Sequence, residues 1–275
     1  ENPFTFASEK KVLKKLGFKN IQELNPRKIL TYNISSKKIE FTEKDFFKIT
    51  PEHKQSYEIQ REKVRELLLG AIKKRVPNKK FGLLFSGGID SVILAYYFKK
   101  LNLDFICYTA ALEHENEAED LKYSKKIAKE LNLNLKYKKI KLEEVPKYLK
   151  KIVPLIEDNN PVKVSVALTL FVASELAKQD NLKVIFTGLG SEEIFAGYNR
   201  HRQTQKVNRE CLSGLLKVYE KDTYRDDVLT MNNNLELRIP FLDKKLVEYS
   251  LKIPEKYKIK DKISKYILRD LALKD

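Results

Sequence analysis

Apolar and polar positions from Gln55 onward alternate between a helical and a strand-like period. Val64, Leu67, Leu68, Ala71 and Ile72 recur at steps of three and four, predicting an amphipathic helix over Gln55 to Val76 that Pro77-Asn78 stops. Phe81 to Phe85 is a short apolar run, as expected of a strand buried on both faces. Val92 to Phe98 is apolar on all sides and predicts an interior helix that leaves the strand and ends near Leu101. Asp104 to Ala110 reads as a second buried strand, and Glu113 to Glu119 as an acidic loop. Ala118, Leu121, Ile127, Ala128 and Leu131 describe another amphipathic helix, followed by a strand over Asn134 to Ile140. Pro146 fits a helix start near Glu143, Pro161 to Lys178 is a helix, and Lys183 to Thr187 is a further strand. Beyond Arg202 the pattern predicts helices only, over Gln205 to Lys221, Lys244 to Ile253 and Ile263 to Leu273.

Strands alternating with helices at this spacing predict an α/β fold, a doubly wound parallel sheet with a helical C-terminal part. Residues 1–50 follow a different pattern. Phe4 to Glu9 is short and strand-like, and Glu9 to Leu16 could form a helical turn or two. Ile21 to Phe47 alternates in short β-like pieces, with turn chemistry at Asn25-Pro26 and Asn33 to Ser36. A few short strands cannot bury a core alone, so this segment leans on the following domain or on one outside the sequence.

Two strands run into glycine. The first ends in Ser86-Gly87-Gly88-Ile89-Asp90-Ser91 and opens a helix. A glycine turn at a helix N-terminus turns backbone N–H groups and a partial positive charge toward an anion. The spacing is neither that of a Walker A loop nor that of a dinucleotide fingerprint. It resembles the pyrophosphate loop of enzymes that split ATP between its α and β phosphates. The second strand ends in Thr187-Gly188-Leu189-Gly190 and leads to the adjacent carboxylates Glu192 and Glu193. If the two strands are neighbours, Asp90 and Glu192 face each other across one crevice. Two carboxylates and a polyphosphate are the oxygen donors that Mg²⁺ favours. Pairing of Glu192 and Glu193 with a helix dipole is the plainer alternative.

Composition narrows the setting. Two cysteines in 275 residues are too few for a disulfide framework, so an intracellular, cytoplasmic protein is expected, with Cys107 in the core. No apolar run is long enough to span a bilayer. The chain opens on Glu1 and its single methionine is Met231, as expected of a piece trimmed or excised from something longer. A formal charge of +16 admits a nucleic-acid partner, but the basic residues are scattered, with no long block interleaved with aromatics. A lysine-rich surface carrying both signs of charge accounts for it as well.

Ser86–Ser91, Gly188–His201, Arg238-Ile239-Pro240-Phe241-Leu242-Asp243 and Lys265-Tyr266-Ile267-Leu268-Arg269 stand in the order and spacing of the asparagine synthetase family. Over roughly residues 55–275 the chain resembles that family's synthetase domain, which the β-lactam and carbapenam synthetases share. The resemblance implies the adenine nucleotide alpha hydrolase-like fold and an amide-forming ligase that binds ATP and Mg²⁺. Such an enzyme adenylates a carboxylate, by family aspartate, releases pyrophosphate, and lets ammonia displace AMP. It further implies that Ser86, Gly87, Gly88, Asp90 and Ser91 hold the pyrophosphate end of ATP. Leu84, Ala110, Thr187 and Gly188 would line the adenosine pocket, Asp90 and Glu192 would hold Mg²⁺, and Lys265 would stabilise the departing pyrophosphate.

The family usually carries Asp where Glu192 stands. Residues 1–50, with Phe6-Ala7-Ser8-Glu9 and Leu24-Asn25-Pro26, resemble the closing strands of the family's glutaminase domain, whose cysteine nucleophile has no counterpart here. Free ammonia, a separate chain or a removed glutaminase half would then supply nitrogen. Asparagine synthetases also carry Glu between the glycines of the second loop, where it contacts the reacting substrate. Leu189 stands in its place, and a leucine is neither acid nor base. In this loop the chain is more similar to the eukaryotic asparagine-synthetase-domain-containing proteins, with Gly197 to Arg202 continuing the likeness. Two alternatives stay open: the same ATP chemistry on another acceptor, a small carboxylate or a tRNA base, and a non-catalytic nucleotide-binding regulator.

Overall fold

The computed structural model describes residues 4–113 and 118–274, and most of the acidic loop expected at 113–119 lies outside them. The chain separates into two compact units, Glu1–Lys48 and Ile49–Asp275. In the first, a short helix α1 (Lys10–Lys15) precedes strands β1 (Lys28–Tyr32) and β2 (Ile39–Glu43), which pair antiparallel. Asn25 and Asn33 shape the turns, accepting hydrogen bonds from the Arg27 and Ser36 backbone N–H groups at 2.9 Å each. The strand expected at Phe4 to Glu9 does not form over the described residues. Phe4 instead stacks its ring on Tyr32, with centroids 4.5 Å apart.

The second unit begins with α2 (Tyr57–Lys73), whose buried positions Val64, Leu68, Ala71 and Ile72 are the predicted stripe. There follow β3 (Phe81–Leu84), α3 (Ile89–Lys100), β4 (Phe105–Leu112), α4 (Glu119–Glu130) and β5 (Leu135–Ile140). A 3-10 turn at Leu142–Glu144 leads into α5 (Val145–Ile156), with Pro146 in its first turn. Then come α6 (Pro161–Gln179), β6 (Val184–Phe186), α7 (Ser191–Ile194), α8 (Asn199–Arg202) and α9 (Val207–Val218). The chain finishes with α10 (Tyr224–Asn232), β7 (Glu236–Arg238), α11 (Lys244–Ser250), α12 (Glu255–Lys258), β8 (Ile259–Lys260), β9 (Ile263–Ser264) and α13 (Tyr266–Lys274).

All five strands of the main sheet are parallel, in the order β5-β4-β3-β6-β7. Phe81, Phe98, Phe105 and Phe186 pack ring against ring on the α3 face, with centroids 4.9–6.0 Å apart. Ile106, Tyr108 and Ile185 point the other way and join Phe171 and Val172 of α6 in the second core. Helices therefore cover both faces, as a doubly wound sheet requires. Cys107 is fully buried, and its surroundings push the thiol up to about 12.

The expectation of helices alone after Arg202 needs correction. Strand β7 adds a fifth parallel strand beside β6, β8 and β9 form a hairpin, and α10 is an additional helix. Three residues with one apolar side chain, Leu237, carry too little period to announce a strand. Among the described residues no single helix is long and apolar enough to cross a membrane.

Candidate active site

From β3 the chain runs outward to β4 and β5, then returns to β6 on the other side of β3. Strand order reverses between β3 and β6, so the carboxyl ends of these neighbours flank a switch point, the usual ligand crevice of such sheets. Both glycine loops leave from these ends. Leu83 and Phe186 are paired in register, which sets Leu84 and Thr187 side by side where the loops begin.

The first loop is tightly wound. Gly88 caps α3, and its N–H donates to Ser86 Oγ at 3.3 Å. Ser91 is buried and returns its hydroxyl to the Gly88 carbonyl at 3.1 Å. Asp90 thus stands in the first turn of α3 with the free N–H groups of a helix start around it. Ala110, two residues past the Leu84–Tyr108 pair, sits on β4 beside the loop strand and is nearly buried. The second loop presses against the first: a Cβ on Gly188 would lie 2.6 Å from Asp90 Cβ and 3.3 Å from the Ser91 nitrogen. Leu189 is half-buried, its N–H donating to Thr187 Oγ1 at 3.4 Å.

Lys265 joins the two loops. Its ammonium lies 2.6 Å from Asp90 Oδ2, 2.5 Å from Glu192 Oε1 and 3.2 Å from Ser191 Oγ. The lysine is almost fully buried and has φ of +55°, in the left-handed region that side chains other than glycine seldom enter. The β8–β9 hairpin delivers it there, immediately before α13. Gly197 closes the other side, where any Cβ would overlap the Glu192 carboxylate and Lys265 Cε. Asp90, Ser191, Glu192, Gly197 and Lys265 therefore form one cluster drawn from four segments.

The donor set suits a hard divalent cation. Asp90 Oδ1 is buried and has no hydrogen-bond partner, leaving an acceptor beside the Lys265 ammonium. Among the described residues no group of three or more His, Cys, Asp and Glu side chains makes a complete cage. Two carboxylates with phosphate oxygens and water match Mg²⁺, which seldom takes an all-protein site.

Glu193, the second of the adjacent carboxylates, is structural. It is buried, and desolvation raises its pKa against the opposing hydrogen bond that the Tyr198 hydroxyl donates to Oε1 at 2.7 Å. The Arg200 guanidinium lies 4.1 Å over the Tyr198 ring and bonds Glu210 at 2.9 Å. His201 is fully buried, and its Nδ1 accepts the Tyr198 N–H at 3.1 Å. Burial, reinforced by Arg200 and Lys258, lowers its pKa to about 4.

The third motif is an anchor. Asp243 caps α11 through the Lys245 N–H at 3.1 Å and holds Lys74 and Arg75 at 3.0 Å each. Arg238 bonds the Arg75 carbonyl from β7. Sequence reasoning passed over Ser191 and Gly197. Both lie within the second motif, but only the approach of Lys265 gives them a role.

The sequence profile of the asparagine synthase family matches residues 63–213 and 201–274. A Methanocaldococcus jannaschii protein assigned as a glutamine-hydrolysing asparagine synthetase is 35% identical over 280 residues, covering 94% of this chain and 51% of that protein. The glutamine-hydrolysing asparagine synthetase of Gallus gallus is 29% identical over 216 residues, covering 75% of this chain and 38% of that enzyme. The chain thus spans about half or less of the length of these relatives. An NMN synthetase structure from Francisella tularensis aligns with a TM-score of 0.35 and 16% identity, over 71% of this chain and 92% of that one. On the profile match and the archaeal relative, this chain belongs to the asparagine synthase family.

Proposed function

We propose that this member of the asparagine synthase family is the ATP-dependent ligase part of an amide-forming enzyme. The cluster around Lys265 carries the reading, because it joins the two glycine loops and the late lysine in one polar site. Ser86, Gly87, Gly88 and Ser91 hold the pyrophosphate end of ATP, and Leu84, Ala110, Thr187 and Gly188 line the adenosine. Asp90 and Glu192 would hold Mg²⁺, which when bound would neutralise phosphate charge. A carboxylate oxygen of the acceptor attacks the α-phosphorus, and the bond from that phosphorus to the bridging oxygen breaks to release pyrophosphate. Ammonia then attacks the acyl carbon, AMP leaves, and the surplus proton passes to water. Lys265, itself almost fully buried, offers a fixed positive charge to the departing pyrophosphate.

Nitrogen enters as ammonia. Cys107 and Cys211 are both fully buried, so neither is a nucleophile for glutamine. Residues 1–50 are the closing part of a glutaminase-like domain. Phe6, Leu16, Ile34 and Phe41 are mainly exposed, as residues that normally face further strands would be. Aspartate is the acceptor by family default. A second reading keeps the ATP chemistry and changes the acceptor, and the half-buried Leu189 favours it, since an apolar side chain cannot bind an amino or carboxylate group. Pyrophosphate release measured across a panel of carboxylates and tRNA, with ammonia present and Asp90→Asn as control, tests both readings. Release that is acceptor-dependent and lost in the control is expected. No release with any acceptor would overturn the ligase assignment.

A further inference from the structure

The fold assembles a basic, aromatic face that is not continuous in the sequence. Between residues 119 and 141 the chain carries eight lysines, no arginine and three carboxylates. Two short pieces, Lys122-Tyr123-Ser124-Lys125-Lys126 and Lys136-Tyr137-Lys138-Lys139, lie on α4 and β5. β5 is the edge strand of the sheet, and α4 packs beside it so that the Lys125 ammonium stands 4.4 Å over the Tyr137 ring. Lys136 and Lys138 turn to the opposite face, where Asp180 and Glu144 hold them at 2.6 and 2.9 Å. The α4 side keeps Lys122, Lys126 and Lys129 exposed, with Tyr123 and Tyr137 showing 55% and 45% of their surface. The helix's carboxylates lie at its ends: Glu119 and Asp120 in the first turn, and Glu130 in the last, 4.0 Å from Lys126.

This face abuts the first glycine loop. Gly87 has φ of +75°, and a Cβ there would lie 2.7 Å from the Ser124 nitrogen and 2.8 Å from the Tyr123 carbonyl carbon. The loop backbone thus rests on the second turn of α4, and the lysines and exposed rings continue outward from the ATP site.

We infer that the α4–β5 face binds a single-stranded polynucleotide, with the lysines on successive phosphates and Tyr123 and Tyr137 stacking on bases. Two exposed rings beside an array of point charges are what an unpaired strand uses, because its base faces are open. Lysine meets phosphates as a point charge, and stacking on an aromatic ring accepts any base, so the binding is sequence-tolerant. It requires neither ATP nor a carboxylate, so the test below stands apart from the ligase chemistry.

Fluorescence anisotropy of labelled 20-mer oligouridylate and oligothymidylate, titrated with the 275-residue chain over a salt series, reads this directly. The RNA and DNA arms tell which polynucleotide is preferred, and saturable binding of either supports the inference. The triple variant Lys122→Glu, Lys126→Glu, Lys129→Glu should weaken binding at least tenfold and flatten the salt dependence by about two units of slope. Tyr137→Ala should weaken it several-fold while leaving that slope unchanged. Lys244→Glu, Lys245→Glu, Lys256→Glu, with the same change of net charge on another face, should stay within twofold. Equal losses from the two triple variants, polyglutamate binding as tight as the oligonucleotides, or no saturable binding at low salt would each overturn the inference. Matching thermal melts of the variants keep misfolding from imitating a loss of affinity.

Discussion

Lys265 and Asp90, 175 positions apart in sequence, meet at 2.6 Å between ammonium and carboxylate. With Glu192 at 2.5 Å on its other side, the lysine balances two carboxylates that would otherwise repel one another at the mouth of the sheet. Lys265→Met should therefore lower acceptor-dependent ATP–pyrophosphate exchange by roughly 10²- to 10³-fold, the usual effect of losing a fixed charge aimed at developing negative charge. Lys265→Arg should not rescue it, because the space beside Gly197 is already closed by Lys265 Cε and the Glu192 carboxylate. Exchange in Lys265→Met within threefold of the parent would refute this role.

Gly197 tests the same cluster without touching a charge. Its backbone lies so close to Glu192 and Lys265 that a single methyl group must displace one of them. Overpacking of this kind typically costs about 1–3 kcal/mol. Gly197→Ala is expected to lower the melting temperature and abolish exchange, whereas Gly70→Ala, where the added methyl meets nothing within 4 Å, should preserve both. A Gly197→Ala protein with normal exchange would show that the close approach is unimportant.

Much of the fold could be read from the sequence, for identifiable reasons. β3 and the Val92–Phe98 stretch of α3 could be read because both are largely buried and no charged residue interrupts either run. β7 was missed because it borrows its order from β6: Leu237 pairs with Ile185 in register, and three residues alone have no period. Asp90, Glu192 and Lys265 could be singled out from their motifs. That one ammonium would hold both carboxylates depends on the β8–β9 hairpin turning Lys265 inward, which two-residue strands do not announce. The lysines and tyrosines of α4 and β5 seemed scattered because nine residues of sequence separate pieces that the sheet edge brings together.

Stability should fall in mild acid through His201. The folded-state pKa of about 4 lies below the ordinary 6.5, so between those values the unfolded chain binds a proton that the native chain refuses. Stability therefore decreases as pH falls through that window and levels off below about 4. By pH 5 the loss relative to pH 7 is on the order of 2 kcal/mol from this group. Urea unfolding at the two pH values should show the drop in the parent protein and a smaller one in His201→Gln. An equal drop in both would assign the acid sensitivity to other groups.

On the proposed ligase reading, Leu189 should decide whether aspartate serves as the acceptor. It occupies the position between Gly188 and Gly190, half-buried, in the loop that presses on Asp90. An amino acid acceptor has an ammonium and a carboxylate to satisfy, and leaving one such group against a leucine forfeits at least one hydrogen bond, about 1–3 kcal/mol for a charged partner. That penalty corresponds to roughly a ten- to hundredfold loss in kcat/KM. Aspartate should accordingly be a poor acceptor, and an acceptor with an apolar group near its reacting carboxylate should be better. Leu189→Glu should raise aspartate-dependent pyrophosphate release at least tenfold while leaving the KM for ATP within twofold, because Leu189 lies outside the residues assigned to the nucleotide. Aspartate turnover in the parent chain as fast as that of an ordinary asparagine synthetase, unchanged by Leu189→Glu, would mean that the acceptor is recognised elsewhere in the crevice.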